Sequence, residues 1–412
     1  MRWISDNNLD EFFQNKNFDI RINKNARWID QKCTPDVITI IADCILAYVE
    51  ENEIDSIFTS MDIWHNEYTI NNVLSIFKKP NPNADNARNE YDKFFQQPME
   101  LLAYSGVLKK TKKGNRNFYQ ILDIDMLQYL ALREKNSLLF LNKYITKVLS
   151  DSNILYVFNN FFDNPNKISF NEMKKTFINF TIQYTDINKV TEPRRIFTKI
   201  VNPLAYYKNA KGSEKGVLSK HIITLDMLMY NRDNFRDLYN DKPKDMTRKE
   251  YEASLENHIK NKASYYRYLS TKAKRIVRDY NNMFNNGYSE LIQDGQRNDK
   301  ATVIHHIFPE SEFPTICYYN ENLIALTPTQ HINYAHPNGN TSIIDKNYQY
   351  LCLLAKSDVI EKSYKFNRGL YEFAKFIDVI CIGLKDESYR EINHLDFITI
   401  AKKLNDSYNK EI

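Results

Sequence analysis

The sequence predicts an α+β fold that is mostly helical, and three features of the chain support this class. Several segments repeat apolar residues at three- and four-residue spacing, which is typical of helices with one buried face. Nine glycines in 412 residues and a hydrophobic content of 42% indicate a folded chain and not a disordered one. Strand patterns occur in two short places, residues 107–121 and 301–326. A chain of this length is expected to form two or three domains.

Residues 1–125 are predicted to form a small helical domain. Thr34 and Pro35 mark the start of a helix, because threonine suits the N-cap and proline suits the first helical position. The apolar face of this helix comprises Val37, Ile38, Ile41, Ile45 and Val49. Two more helices are expected around residues 69–77 and 84–105, and Gly106 is expected to end the second of them.

A basic hairpin follows these helices. Residues 107–121 have the pattern of two strands joined by a glycine-containing turn, and the tip carries Lys112, Lys113 and Arg116. Helices followed by a basic hairpin resemble a winged-helix domain. The resemblance implies DNA binding by these three side chains, although many such domains serve only as protein contacts.

The middle of the chain divides by charge. Residues 126–190 are helix-like and carry no motif, so a helical linker or core is expected there. Residues 191–295 form a basic region: from Arg194 to Arg278 there are twenty Lys and Arg against nine Asp and Glu, a net +11 that leaves −7 for the remainder. A polyanion should meet this region first, and its candidate DNA contacts are Arg194, Arg195, Lys199, Lys211, Lys215, Arg232 and Arg236. An ordinary solvated face with local ion pairs is the alternative.

Residues 296–345 hold four of the eight histidines of the chain. Residues 301–304 predict a strand that ends at the His305-His306 pair, and successive side chains of a strand point to opposite faces. Residues 323–326 predict a second strand, and Thr327-Pro328 predicts a helix that begins at Pro328. His331 falls in the first turn of this helix, so folding would bring its ring back to His305.

The order and spacing of these residues resemble the HNH nucleases, whose module is also called the ββα-metal fold. A histidine pair is followed after sixteen residues by Asn322, and nine residues later by His331. The resemblance implies that His305 and His331 bind a divalent metal, that His306 is the general base, and that Asn322 positions the hairpin loop. An imidazole with a pKa near ~6.5 suits the base role at cellular pH. The alternative is a group of histidines that share no site.

Two departures from the HNH pattern affect the metal site. In colicin-type members the last histidine comes four residues after the helical one, whereas here it is His336, five residues after His331. On a regular α-helix the two side chains would lie about 140° apart, so His336 needs a helix end or a bulge to act as a third ligand or phosphate contact. No Cys-x-x-Cys pair flanks the motif, so no structural zinc is expected.

Residues 346–412 are predicted to be helical, with amphipathic helices over 348–355 and 364–384 that pack on the rest of the chain or form a dimer contact. The five cysteines are an odd number at scattered positions, which fits packing residues in a reducing cytoplasm. The N-terminus lacks the order of a signal peptide, and the longest apolar runs are too short to span a membrane.

The chain also looks similar in softer motifs to bacterial type II restriction endonucleases with a C-terminal HNH site. The similar segments are Arg27–Lys32, Glu192–Lys199, Lys208–Gly216 and Tyr230–Asp237. The resemblance implies a Mg²⁺-dependent enzyme that cleaves double-stranded DNA at a specific sequence, with Mn²⁺, Co²⁺ or Ni²⁺ able to substitute.

Partners follow from that expectation. One HNH site cuts one strand, so a homodimer on a symmetric target is expected, together with a cognate DNA methyltransferase encoded nearby. Two alternatives remain open. One is a homing or phage-defence nuclease that nicks or has broad specificity, and the other is a DNA-binding regulator whose nuclease site has decayed.

Overall fold

A computed structural model describes residues 4, 8–77, 79, 87–230, 257–291, 300–336 and 344–409. This part of the chain is mostly helical with small antiparallel sheets, as the composition predicts. It divides into two compact units, Met1–Leu255 and Glu256–Ile412, so the basic region predicted over 191–295 spans both. Arg232 and Arg236 lie outside the described residues. None of the helices within these ranges is long and apolar enough to cross a bilayer.

The first unit begins with helices that surround α3, and α3 starts at Pro35 as predicted. Its inward residues Val37, Ile38 and Ile41 are fully buried, although the Thr34 hydroxyl makes no capping hydrogen bond. The hairpin predicted over 107–121 is confirmed as an antiparallel pair. The elements are α1 Asn8–Gln14, α2 Ile20–Asn23, α3 Pro35–Glu51, α4 Ser60–Trp64, α5 Glu67–Phe77, α6 Ala87–Ser105, β1 Leu108–Lys113, β2 Arg116–Ile121 and α7 Ile124–Leu132.

The second half of the first unit is a further set of helices followed by a second hairpin. Its elements are α8 Glu134–Asp151, α9 Leu155–Asp163, α10 Lys167–Tyr184, α11 Thr191–Tyr207, β3 Lys211–Glu214 and β4 Val217–Ile222. Helices α8 and α10 both pack on α11, and α8 also packs on α3. The stretch 126–190 therefore contributes to the core of the first unit. The Tyr144 hydroxyl donates to the Trp28 carbonyl at 2.6 Å and joins α8 to the N-terminal helices.

The second unit is built on a two-stranded hairpin. Its elements are α12 Asn257–Phe284, β5 Val303–His306, β6 Leu323–Leu326, a π-helix Gln330–Ala335, α13 Lys346–Lys365, α14 Phe373–Leu384 and α15 Phe397–Asn409. The first strand begins two residues later than predicted and includes both histidines of the pair. The helix predicted from residue 364 instead begins at Phe373, because Asn367 and Gly369 adopt positive φ angles that interrupt it.

The hairpin is buried between helices. Ala273 and Val277 of α12 form one apolar cluster with Ile304, Leu323 and Ala325 of the strands. A buried ion pair also holds β6 in place. The Glu290 carboxylate accepts a hydrogen bond from the Ala325 backbone at 3.1 Å and contacts the Lys356 ammonium at 2.5 Å. Both charged side chains are almost completely buried, so neither can exchange its partner for water.

We expect Lys356→Met to destabilise the protein by about 3–5 kcal/mol, because it leaves the Glu290 charge buried without its partner. The double variant Glu290→Gln with Lys356→Met should recover much of this loss. Urea unfolding of the full chain measures both effects. The control is Lys362→Met, which breaks an exposed ion pair with Asp358 and should cost less than about 1 kcal/mol. Equal losses for the two single variants would contradict the structural role of the buried pair.

Candidate active site

The two histidines of the pair face opposite sides of the hairpin. His305 pairs with Ile324 and His306 with Leu323 in the antiparallel register. Because side chains alternate along a strand, His306 shares the face of Ile304, which packs on α12. His305 therefore points to the other face, where its ring meets those of His331 and His336. The backbone thus separates the two imidazoles into different environments.

A π-helix brings His336 to the same side as His331. The helical stretch begins at Pro328, and its start is a capping box: the Gln330 backbone N–H donates to the Thr327 hydroxyl at 3.1 Å, and the Thr327 N–H donates to the Gln330 side-chain carbonyl at 3.0 Å. Residues Gln330–Ala335 then form a π-helix. The π-helix ends at Ala335, and His336 follows as its C-cap with extended backbone angles. The helix end that the spacing required is therefore present, and the His336 ring lies 4.7 Å from that of His331.

Three imidazoles form a compact cluster. The ring centroids are 5.2 Å apart for His305 and His331, 5.1 Å for His305 and His336, and 4.7 Å for His331 and His336. One nitrogen from each ring lies within 4.8 Å of the others. Burial, followed by the neighbouring histidines, lowers the pKa of His305 to about 3, and burial also lowers the pKa of His331. Both rings are therefore neutral at cellular pH, the form that binds a metal.

The donor set of this cluster fits a divalent metal. Three imidazole nitrogens converge, and no carboxylate of the described residues belongs to the group. Three imidazoles with open remaining positions are typical of catalytic sites for borderline transition metals, whereas Mg²⁺ prefers oxygen ligands. His305, His331 and His336 would hold the ion. We therefore expect the cluster to bind ions such as Mn²⁺, Co²⁺, Ni²⁺ or Zn²⁺ more tightly than Mg²⁺.

His306 is held as a neutral ring with one defined tautomer. Its Nε2 lies 2.9 Å from the Cys317 carbonyl oxygen, which can only accept, so Nε2 carries the proton and Nδ1 is the basic nitrogen. The Ser270 hydroxyl lies 3.3 Å from Nε2 and donates to the Glu310 carboxylate at 3.2 Å. Burial, followed by the charge of Lys274, lowers the pKa of His306 to about 4.

Asn322 holds the loop between the two strands. Its side-chain carbonyl accepts from the Phe308 N–H at 2.9 Å, and its amide group donates to the carbonyls of Phe308 at 3.0 Å and Ile316 at 3.3 Å. Its own backbone carbonyl accepts from the Ile307 N–H. The side chain is fully buried, so these hydrogen bonds position the loop and leave no atom for the reaction.

Helix α12 supplies two site residues that sequence analysis missed. Ser270 and Lys274 are one turn apart on the face that also carries Ala273 and Val277 against the hairpin. After burial, and for His305 and His331 also after the neighbouring histidines, the charge of Lys274 contributes to the lowered pKa of all three of His305, His306 and His331. It makes no hydrogen bond or ion pair within the described ranges. The helical spacing of Ser270 and Lys274 could have shown that they share a face of α12, but spacing does not show which strand that face packs on.

The candidate DNA contacts that the structure describes belong to the first unit and not to the histidine cluster. Lys112, Lys113 and Arg116 are exposed on the first hairpin. Arg194 and Arg195 are exposed on α11, where Arg195 pairs with Glu192 at 3.0 Å. Lys215 is exposed at the turn of the second hairpin, and the half-buried Lys211 lies at the start of β3. Lys199 is half-buried, and its burial lowers its pKa, so it is the least suited to reach DNA.

Comparison with known proteins identified no similar protein. No family model, curated protein or solved structure matches this chain. The case for a function therefore rests on the residues of the chain and on the geometry that brings four histidines and Asn322 to one hairpin.

We expect His336→Ala to weaken binding of Co²⁺ or Ni²⁺ by at least about 10–100-fold, the loss that changes to mere supporting residues already cause. His305→Ala and His331→Ala should have effects of the same order, because all three nitrogens converge. Isothermal titration calorimetry on the full chain measures the affinities, with exposed His394→Ala as the control. An unchanged affinity in His336→Ala, with loss in the other two, would remove His336 from the metal site.

Proposed function

We propose that the protein is a metal-dependent endonuclease that cleaves double-stranded DNA, of the type II restriction class. The observation that carries the proposal is a three-histidine cluster on one face of a hairpin, with a neutral, oriented His306 on the other. The intact set of His305, His306, Asn322 and His331 argues against a decayed nuclease site. The three-histidine donor set includes no carboxylate among the described residues, so it does not repel an anionic substrate such as a phosphodiester.

His306 would act as the general base. Its Nδ1 takes a proton from water as the water oxygen bonds to phosphorus and the bond to the deoxyribose oxygen breaks. Nε2 keeps its proton and its hydrogen bond to the Cys317 carbonyl, so the ring does not turn during the transfer. The nearby Glu310 carboxylate, 3.9 Å from Nε2, stabilises the imidazolium that forms. A metal held by the three histidines supplies Lewis-acid stabilisation of the phosphate and of the leaving oxygen.

Lys274 would bind a non-bridging oxygen of the same phosphate. It lies one helical turn from Ser270, which contacts His306, and it forms no ion pair within 4.0 Å among the described residues. A fixed cation next to the reacting phosphate stabilises the charge that develops in the transition state.

Sequence specificity and partners belong to the same proposal. The basic surfaces of the first unit, which include Arg194, Arg195, Lys112, Lys113 and Arg116, would hold the duplex, and arginines suit bidentate contacts with guanine edges. The described residues hold one histidine cluster, and one such site cuts one strand, so double-strand cleavage needs two subunits. A restriction role further implies a cognate methyltransferase.

The direct test is incubation of purified protein with unmethylated plasmid and Mn²⁺ or Mg²⁺. Discrete fragments with a constant end sequence support a restriction endonuclease. Nicked circles or a smear without a preferred sequence would indicate the homing or phage-defence alternative. An absence of cleavage with every divalent metal, together with sequence-specific binding, would indicate a DNA-binding regulator.

We expect His306→Ala to lower the cleavage rate by about 10²–10⁴-fold while duplex binding stays unchanged, because a general base contributes to the chemical step and little to phosphate affinity. Single-turnover cleavage and fluorescence anisotropy measure the two quantities, with His394→Ala as the control. Cleavage that remains above roughly a tenth of the wild-type rate would rule out the base role.

We expect Lys274→Met to lower single-turnover cleavage by about 10²–10³-fold, the usual effect of removing one donor to the transition state. Metal affinity should be unchanged, since Lys274 is not a ligand, and Lys274→Arg should retain part of the activity. Arg278→Met, one turn further along α12 and exposed, is the matched control. If Lys274→Met cleaved as fast as Arg278→Met, Lys274 would have no part in the reaction.

A further inference from the structure

The helices that precede the two hairpins of the first unit end in the same way. After α6, the Val107 N–H donates back to the Leu102 carbonyl at 2.8 Å, and after α11 the Ala210 N–H donates to the Ala205 carbonyl at 2.9 Å. In each case the preceding residue has positive φ, namely Gly106 and Asn209. The carbonyl of that donating residue then closes each hairpin: it accepts from the Leu122 N–H at Val107, at 3.0 Å, and from the Ile223 N–H at Ala210, at 3.1 Å.

Each hairpin is also attached to its helix by one polar side chain from the last turns. Glu100 of α6 accepts hydrogen bonds from the Tyr119 hydroxyl at 2.6 Å and the Asn117 amide at 3.0 Å. Asn202 of α11 exchanges two hydrogen bonds with the Ser213 backbone, at 2.7 and 2.9 Å. Gly212 permits this approach, because a Cβ there would lie 2.5 Å from the Asn202 side-chain oxygen. The chain therefore contains two helix–hairpin modules, residues 87–122 and 191–223.

Both modules present a basic surface. The first hairpin, residues 108–121, has five Lys and Arg and no Asp or Glu. The second module has seven Lys and Arg against two acidic residues, a net +5, and Arg194, Lys208, Lys215 and Lys220 are exposed. The sequence analysis placed a boundary at residue 190, between this second module and the helices before it. In the structure α8 and α10 pack on α11 and so support the module. A rigid hairpin rich in cations is complementary to a polyanion.

We propose that each chain holds the phosphate backbone of double-stranded DNA at two separate places, one for each helix–hairpin module, and that the second module is a DNA-binding element in its own right. The inference rests on the proposed function and deepens it. Two linked contacts strengthen each other, because the second forms at the effective concentration set by the first. The loss of one module weakens binding to every sequence without abolishing it.

The experiment compares three charge-neutralised variants of the full chain in duplex binding at several salt concentrations. The first changes Lys112, Lys113 and Arg116 to Gln, the second changes Lys211, Lys215 and Lys220 to Gln, and the third combines all six. The slope of log Kobs against log salt falls by about 0.9 for each lost phosphate contact. We expect each triple variant to reduce the slope by about 2–3, and the combined variant by the sum of the two.

The control neutralises three exposed lysines of the second unit, Lys365, Lys385 and Lys402, with the same change in net charge. Its slope should change by less than about 1, because general charge effects are screened at these salt concentrations. An unchanged affinity and slope for the second variant, with loss in the first, would overturn the proposal and leave the second hairpin as a protein contact. A wild-type protein that binds no duplex at all would instead refute the proposed function and this inference with it.

Discussion

The register between β5 and β6 is the constraint on which the candidate site depends. A slip of one residue would move His305 to the α12 face and His306 to the face of the other histidines, because side chains alternate along a strand. Several independent contacts hold this register. Asn322 ties the loop to the start of β6, Glu290 binds the Ala325 backbone, and the apolar cluster with α12 accepts only one face of the hairpin. The catalytic assignment of each histidine is therefore a property of strand pairing.

The π-helix, which ends just before His336, is the second constraint, and it affects the position of that ring. A regular α-helix would keep His331 near His305 and turn His336 away, leaving two ligands. The π-helix has a wider turn and leads to a position of His336 beside His331, although its backbone geometry is less favourable than that of an α-helix. Buried hydrogen bonds from the Gln330 side chain to Thr327, Ser289 and Leu291 stabilise the start of this helix. Irregular helix geometry at a cluster of ligands is consistent with a functional site.

Charge separates the roles within the second unit. The rings of His305, His306 and His331 are held neutral, the Glu310 carboxylate lies 3.9 Å from His306, and the buried Glu290–Lys356 pair neutralises itself. Among the residues that the structure describes, the exposed Glu310 carboxylate approaches His306, and no carboxylate belongs to the three-histidine cluster. A histidine cluster without a carboxylate does not repel a ligand that carries negative charge.

Local sequence patterns determined much of the fold. Pro35, Gly106, the basic hairpin, the strand at 323–326 and the helix start at Pro328 follow from short-range rules, and each is present in the structure. The opposed faces of His305 and His306 follow from strand alternation in the same way.

The tertiary structure determined three features that these short-range rules do not predict. They are the π-helix before His336, the packing of the helix with Ser270 and Lys274 on the hairpin, and the repetition of the helix–hairpin module. Each of these depends on contacts between residues far apart in the chain, or on a hydrogen-bond pattern with no characteristic residue type. Spacing along the sequence specifies the face on which a side chain lies, but the partner of that face is selected only by packing.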